Sequence, residues 1–276
     1  MRKFLLVSLL SVAGTAVMAQ NYWSSHAGTA KIVTDKSVSR KSFPANYKLF
    51  DLNLAPLKKD LYAVVGNASK HTIIISIPNA QGQMEKFEMV EASNFDKKLQ
   101  AQFPEIRSFS GKGITDKAAT LKLSISPQGI QTMVFRTATE NEFIEPYSAD
   151  HKVYAVFKSQ RNIGQLPWSC TTDDIKLSTD VSHQLDGTTA RSGADLKTLR
   201  LAQSVTAEYS NYFGATSASQ VSLVLAAINN TLTRCNGVYE KDLAIHLNLI
   251  AASTNVIYYS PSTDPYSAAS TGAGGA

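Results

Sequence analysis

The spacing of apolar residues changes character once along this chain, near residue 196, and that change divides it into two kinds of fold. Before it, apolar residues recur at every second position in short runs. Phe50, Leu52 and Leu54 alternate with Asp51 and Asn53, and Thr72 to Ile77 is a β-branched run closed by Pro78-Asn79. Phe87 and Met89 alternate with charged residues. Leu121, Leu123 and Ile125 share one face, Pro127-Gln128-Gly129 turns the chain, and Ile130 to Arg136 runs back. That is the pattern of a hairpin. Val153 to Phe157 predicts a further strand, and one helix is predicted from Asn94 to Gln102, stopped by Pro104. Many short strands joined by turn residues predict an antiparallel β domain over 47–158, with residues 20 to about 46 as a polar lead-in, so that the first domain spans 20–158.

Residues 159–195 are rich in Ser, Thr, Asp, Gln and Gly and predict a linker. After Leu196 the pattern is different. Leu199 to Thr206 alternates as a strand. Ser217-Ala218-Ser219-Gln220 fits a capping box, and Val221, Leu225, Ile228 and Leu232 then recur at helical spacing. Asn236-Gly237 is expected to end that helix, since both residues tolerate a left-handed cap. Leu243 to Ile250 predicts a second strand, with Ile245, Leu247 and Leu249 on one face, and Asn255 to Tyr259 a third. Strand–helix–strand implies a parallel crossover. A parallel pair covered by one helix leaves a sheet face bare, so residues 196–276 are expected to be the opening βαβ part of a larger, incomplete α/β domain and poorly stable alone. The fold class is α+β overall.

The N-terminus adds the cellular context. Met1-Arg2-Lys3 is basic, Phe4 to Val12 is almost wholly apolar, and Val17-Met18-Ala19 precedes Gln20. These are the three parts of a secretory signal peptide over 1–19, cleaved between Ala19 and Gln20. The apolar core is shorter than the about 20 residues that span a bilayer, so no stable membrane anchor is expected and the product should be secreted. With 43% hydrophobic and 18% charged residues the chain can build a core. Its formal net charge is +5, but the basic residues are scattered in pairs such as Lys58-Lys59 and Lys97-Lys98, without a basic stripe, which argues against nucleic-acid binding.

The residues that carry chemistry are few. His26, His71, His151, His183 and His246 include no pair four apart, so no helix presents two of them to one metal. His246 lies mid-strand beside Asn248 and is expected to be a satisfied, half-buried histidine. There is no C-x-x-C, no phosphate loop and no G-x-S-x-G. Asn67-Ala68-Ser69 and Asn229-Asn230-Thr231 match the glycosylation pattern. Arg191-Ser192 lies in the linker, where cleavage of the chain is easy.

Several runs taken together resemble a known family. These are Leu199-Arg200-Leu201-Ala202, Glu208-Tyr209, Asn236-Gly237-Val238-Tyr239-Glu240-Lys241-Asp242-Leu243 and Ser262-Thr263-Asp264-Pro265-Tyr266. Over about 196–266 they are similar to secreted bacterial reprolysin-like (adamalysin-related, metzincin) zinc metalloproteases, and more loosely the upstream β domain looks like the propeptide of such enzymes. The resemblance implies peptide-bond hydrolysis in the full-length parent, protein or peptide substrates, zinc as cofactor, and the β domain as an intramolecular inhibitor. It implies a helix carrying H-E-x-x-H-x-x-G-x-x-H, three histidines binding zinc and the glutamate acting as general base on zinc-bound water. That motif does not occur in these 276 residues, so no zinc ligand and no catalytic base is assigned and the chain itself is expected to be inactive.

Two further roles follow from the resemblance. Cys170, in Leu166-Pro167-Trp168-Ser169-Cys170, would block the open zinc position of the precursor until the linker is cut. Its alternative is a disulfide with Cys235, which would keep propeptide and enzyme tethered after cleavage. Glu208 follows the first strand, where some relatives place an acidic calcium ligand, and its alternative is a solvated helix-start glutamate. A different class of function remains open for the chain as a whole, an exported β-sandwich that serves as an adhesin or glycan-binding module.

Overall fold

A computed structural model describes residues 22–28, 31–66, 72–159 and 195–266. Cleavage at Ala19 and Gln20, Cys170, the linker with Arg191 and Ser192, His71, His183 and the glycosylation match at Asn67 lie outside the described residues.

The first domain is one sheet of nine strands, ordered β1-β2-β9-β8-β7-β6-β5-β4-β3 with every neighbouring pair antiparallel. The strands are β1 (Trp23–Ser25), β2 (Lys48–Leu52), β3 (Ile73–Pro78), β4 (Met84–Glu91), β5 (Arg107–Gly113), β6 (Thr120–Ser126), β7 (Gly129–Phe135), β8 (Glu142–Pro146) and β9 (Val153–Lys158). The expected hairpin is present, with Ser126 opposite Gly129 and Gly129 at φ +94, a conformation that glycine adopts without strain. The nine strands form one continuous hydrogen-bonded sheet. Trp23 and Ile75, from opposite edges, belong to one buried cluster with Leu57, Leu61 and Val64. The sheet therefore curls around α1 (Leu54–Tyr62), and its concave face is the core.

Three local expectations change. Leu54, expected to continue the alternation of β2, begins α1, since Leu57, Leu61 and Val64 are spaced for a helix. Pro56 fits because the first helical turn needs no donor there. The lead-in is partly structural: Tyr22 and Trp23 are buried, with Trp23 edge-on to Tyr154 at 5.6 Å. The helix expected from Asn94 is shorter, α2 (Lys97–Gln102), with the Asp96 side chain accepting from the Leu99 N–H as its cap.

The second unit contains β10 (Lys197–Leu201), α3 (Ala207–Tyr212), α4 (Val221–Leu243) and β11 (Ile245–Leu249). β10 and β11 pair in parallel, with Lys197 opposite Ile245. The expected capping box does not form. Gln220 accepts from the Thr216 N–H at 2.9 Å, and Ser217 makes no side-chain cap bond. Asn236-Gly237 does not end α4. The helix runs on to Leu243 and stops at Ala244, left-handed at φ 53. Asn255 to Tyr259 is not a strand. Residues Ala251–Val256 form a 3-10 turn, and Ile257 makes one isolated parallel bridge to Val205.

The expected bare face is found only in part. β10 is exposed along most of its length, including Leu199. On the other side the unit is covered. Val224, Leu225, Ile228, Leu232 and Leu249 form a second core with Phe95, Leu99 and Ile106 of the first domain. The Leu249 N–H donates to Asn94 O at 2.8 Å and the Asp96 N–H donates to Leu249 O at 2.9 Å, so residues 94–96 line the outer edge of β11.

Candidate functional site

Helix α4 is buried on two sides by different chemistry, and that contrast marks the site. Its apolar stripe faces the second core. Its remaining stripes meet the convex face of the nine-stranded sheet, where alternation along Thr120-Leu121-Lys122-Leu123-Ser124 sends Lys122 and Ser124 away from the first core. Lys122, only 6% exposed in its side chain, pairs with Glu240, and Ser124 donates to the Asn230 side chain. Arg234 reaches Glu145 on β8 at 2.8 Å, and Arg40 holds the other carboxylate oxygen at 2.6 Å. Gly237 allows the closest approach: a β-carbon there would lie 2.6 Å from Phe135 Cζ.

A buried amide cluster closes one end of this contact. Asn94 Nδ2 donates to Asn229 Oδ1 at 2.9 Å and to Thr233 Oγ1 at 2.8 Å, while Asn94 Oδ1 accepts from Asn236 Nδ2 at 2.9 Å. Asn236 also holds β11, accepting from the Leu247 N–H at 2.8 Å and donating to Leu247 O at 2.9 Å. Asn229 is 2% exposed, so the second glycosylation match is closed to modification in the folded chain.

Beside the cluster lies His246, with Nδ1 2.7 Å from Glu240 Oε1 and Nε2 3.0 Å from Ser93 O. Both ring nitrogens are engaged, as the sequence led us to expect. Burial acts to raise the Glu240 carboxyl, but the hydrogen bonds from His246 and Lys122 outweigh it and hold the group below its ordinary value. A cavity of about 620 Å³ opens between the same two bodies, lined by Asp35, Arg40, Glu145, His151, Asn230 and Arg234. A smaller apolar one of about 330 Å³ lies past the end of β10, against Val205, Ile228 and Leu232.

The runs that carried the resemblance are parts of one assembly. Asn236 to Leu243 is the second half of α4, and Asp264 folds back so that its Oδ2 accepts the Ala207 N–H at the start of α3. Tyr266 donates to Ser204 at 2.8 Å.

Residues 195–275 match the family described as Metallo-peptidase family M12B Reprolysin-like. No curated protein and no solved structure matches the chain. The reprolysin-like match covers under a third of the 276 residues and supports a metallopeptidase kind of function for this part.

That family is generally zinc-dependent. The described residues do not fit a zinc ion. His26, His151 and His246 each face one carboxylate, on Asp51, Asp35 and Glu240, in three separate pairs. Among the described residues no three His, Cys, Asp or Glu side chains are grouped so that they could hold a metal ion. Glu208 is exposed in the first turn of α3, and among the described residues it belongs to no group of three acidic, His or Cys side chains that could hold a metal ion. Cys235 is half-buried, and burial pushes its thiol up against a smaller pull from Arg234, so it is a poor thiolate. No disulfide partner for it lies among the described residues, and among them no helix is long and apolar enough to cross a membrane.

Proposed function

We propose that this chain is the precursor portion of a secreted zinc-dependent endopeptidase. In it residues 20–158 are an inhibitory, folding-assisting propeptide and the reprolysin-like part opens the catalytic domain. The observation that carries the reading is the double burial of α4. Helix α4 and strand β11 of the matched region are held by the upstream β domain through polar, hydrogen-bonded pairs as well as through an apolar seam. Contacts of this composition can be re-solvated when partners separate, as transient interfaces are.

Export by cleavage after Ala19 and processing near Arg191-Ser192 belong to the same proposal. Cys170 serves either as the blocking zinc ligand of the precursor or as a disulfide partner of Cys235. Substrates are proteins or peptides. The zinc-binding helix H-E-x-x-H-x-x-G-x-x-H does not occur in these residues, so the chain by itself hydrolyses no peptide bond.

The test follows the gene product in its native host. The secreted polypeptide should carry residues 195–275 joined to a zinc-binding helix, lose the residues before 195 as caseinolytic activity appears, and be inhibited by EDTA. The purified 276-residue chain should be inert on casein with added zinc. EDTA-sensitive turnover by this chain, or a secreted product with the matched region and no zinc-binding helix, would contradict the reading.

A further inference from the structure

We propose that His246 is a proton-controlled latch between the β domain and the strand–helix–strand unit, closed while the imidazole carries its added proton and weakened when that proton leaves. The groups it joins come from separate elements. His246 is on β11, Glu240 on α4, and Ser93 in the segment of the β domain that lines the edge of β11. The ring is 12% exposed in its side chain, so water does not readily replace a lost partner.

Both partners are acceptors. Ser93 presents a backbone carbonyl and Glu240 a carboxylate. A neutral imidazole has one N–H and one lone pair, whereas the protonated ring donates from both nitrogens. At distances of 2.7 and 3.0 Å, deprotonation leaves one nitrogen lone pair facing an acceptor where a charge-assisted hydrogen bond stood. The surrounding charges are accounted for. Lys122 of β6 is bound to the far oxygen of Glu240. Arg200 lies opposite Asn248 on β10, on the same sheet face as His246 and one step along. Glu91, ahead of Ser93, is held by Arg107 at 2.7 Å, and Asp96 caps Leu99 and accepts from the Ala251 N–H.

The contact is therefore stronger with the ring protonated than with it neutral. Burial acts to raise the Glu240 carboxyl, but its bonds to His246 and Lys122 hold it below its ordinary value, so it remains an acceptor for the ring. The meaning of the latch as a release device rests on the precursor reading. The latch itself does not, so its test reads the contact and not activity.

In the full, ¹⁵N-labelled chain, long-range ¹H–¹⁵N correlations report the protonation of each histidine ring from about pH 5 to about pH 8.5, spanning the histidine range. His246→Gln assigns the signal. Amide hydrogen exchange at Asp96 and Leu249, corrected for intrinsic rates, reads the contact. We expect protection at both amides to fall about tenfold as the ring titrates, the scale of one charged hydrogen bond. In H246Q protection should start at the lower level and stay flat with pH, and E240Q should abolish the pH dependence. Unchanged protection while the ring loses its proton, or the same fall in H246Q, overturns the latch. If H246Q does not fold, the signal is assigned in E240Q by its changed titration, and the wild-type comparison of ring and amides still decides.

Discussion

At the scale of single residues, the stability of the contact concentrates in a few buried polar groups. Asn236 is 1% exposed and bonds both the backbone of Leu247 and the side chain of Asn94. Asn236→Ala would strand a buried N–H and two carbonyl oxygens, so we expect a loss of about 2–4 kcal/mol in denaturant unfolding. A carboxylate gives a second test, with a direction in pH. Burial pushes Asp35 up, but hydrogen bonds from His151 and Ser37 outweigh it and hold the group down to about 2 against an ordinary 3.8. A group lowered by folding stabilises above its unfolded value and loses that contribution as the pH falls through the folded one. Asp35→Asn should therefore flatten the acid limb of the stability curve between about pH 4 and pH 2, measured by thermal melts across pH. The helix that carries Asn229 was legible from its apolar stripe of Val221, Leu225, Ile228 and Leu232, although Asn236 was read as its end. The partner of Asn229 was not. Asn94 lies 135 residues from Asn229, and no local pattern names so distant a partner.

At the scale of elements, α4 shows why one glycine was misread. A glycine near the end of a helical pattern signals either a left-handed cap or a close approach, and the sequence alone does not separate them. The helix passes Gly237 because Phe135 and Lys122 occupy the space a β-carbon would take. Gly237→Ala should gain about 1 kcal/mol of helix propensity. It should lose about 1–3 kcal/mol to overpacking, for a net destabilisation. Phe135→Leu, which shortens the blocking ring, should relieve part of that loss, and a double-mutant cycle by chemical denaturation measures the coupling. The true terminus makes the converse case. Ala244 holds φ 53, so Ala244→Gly should stabilise the chain by relieving the left-handed strain, by about 1 kcal/mol in the same assay. The hairpins were readable because period-two runs and turn residues act locally, as in β6 and β7. α1 was missed because Leu54 satisfied the strand alternation and the helical spacing at once.

At the scale of the whole molecule, the two bodies share one core and one polar seam. Phe95, Leu99 and Ile106 complete the apolar cluster of the reprolysin-like part, so the strand–helix–strand unit does not stand on its own side chains. The sequence indicated that the unit needed a cover. It could not indicate that the upstream sheet supplies part of it, because α2 and α4 meet through residues more than a hundred positions apart. The shared core predicts what cutting the chain does. Suppose that Arg191-Ser192, outside the described residues, is replaced by a site for a specific protease and the purified chain is cleaved there. The two parts should still co-elute in gel filtration at the size of the uncut chain, because chain cleavage removes no contact of the second core or of the amide cluster. On a denaturing gel without reductant they should run apart if Cys235 is a thiol, and together if it is bonded to Cys170. Phe95→Ala removes the ring that joins the bodies and should cost about 3–5 kcal/mol, weakening the association of the cleaved parts. Separation of the cleaved wild-type parts without denaturant would show that the shared core does not hold them.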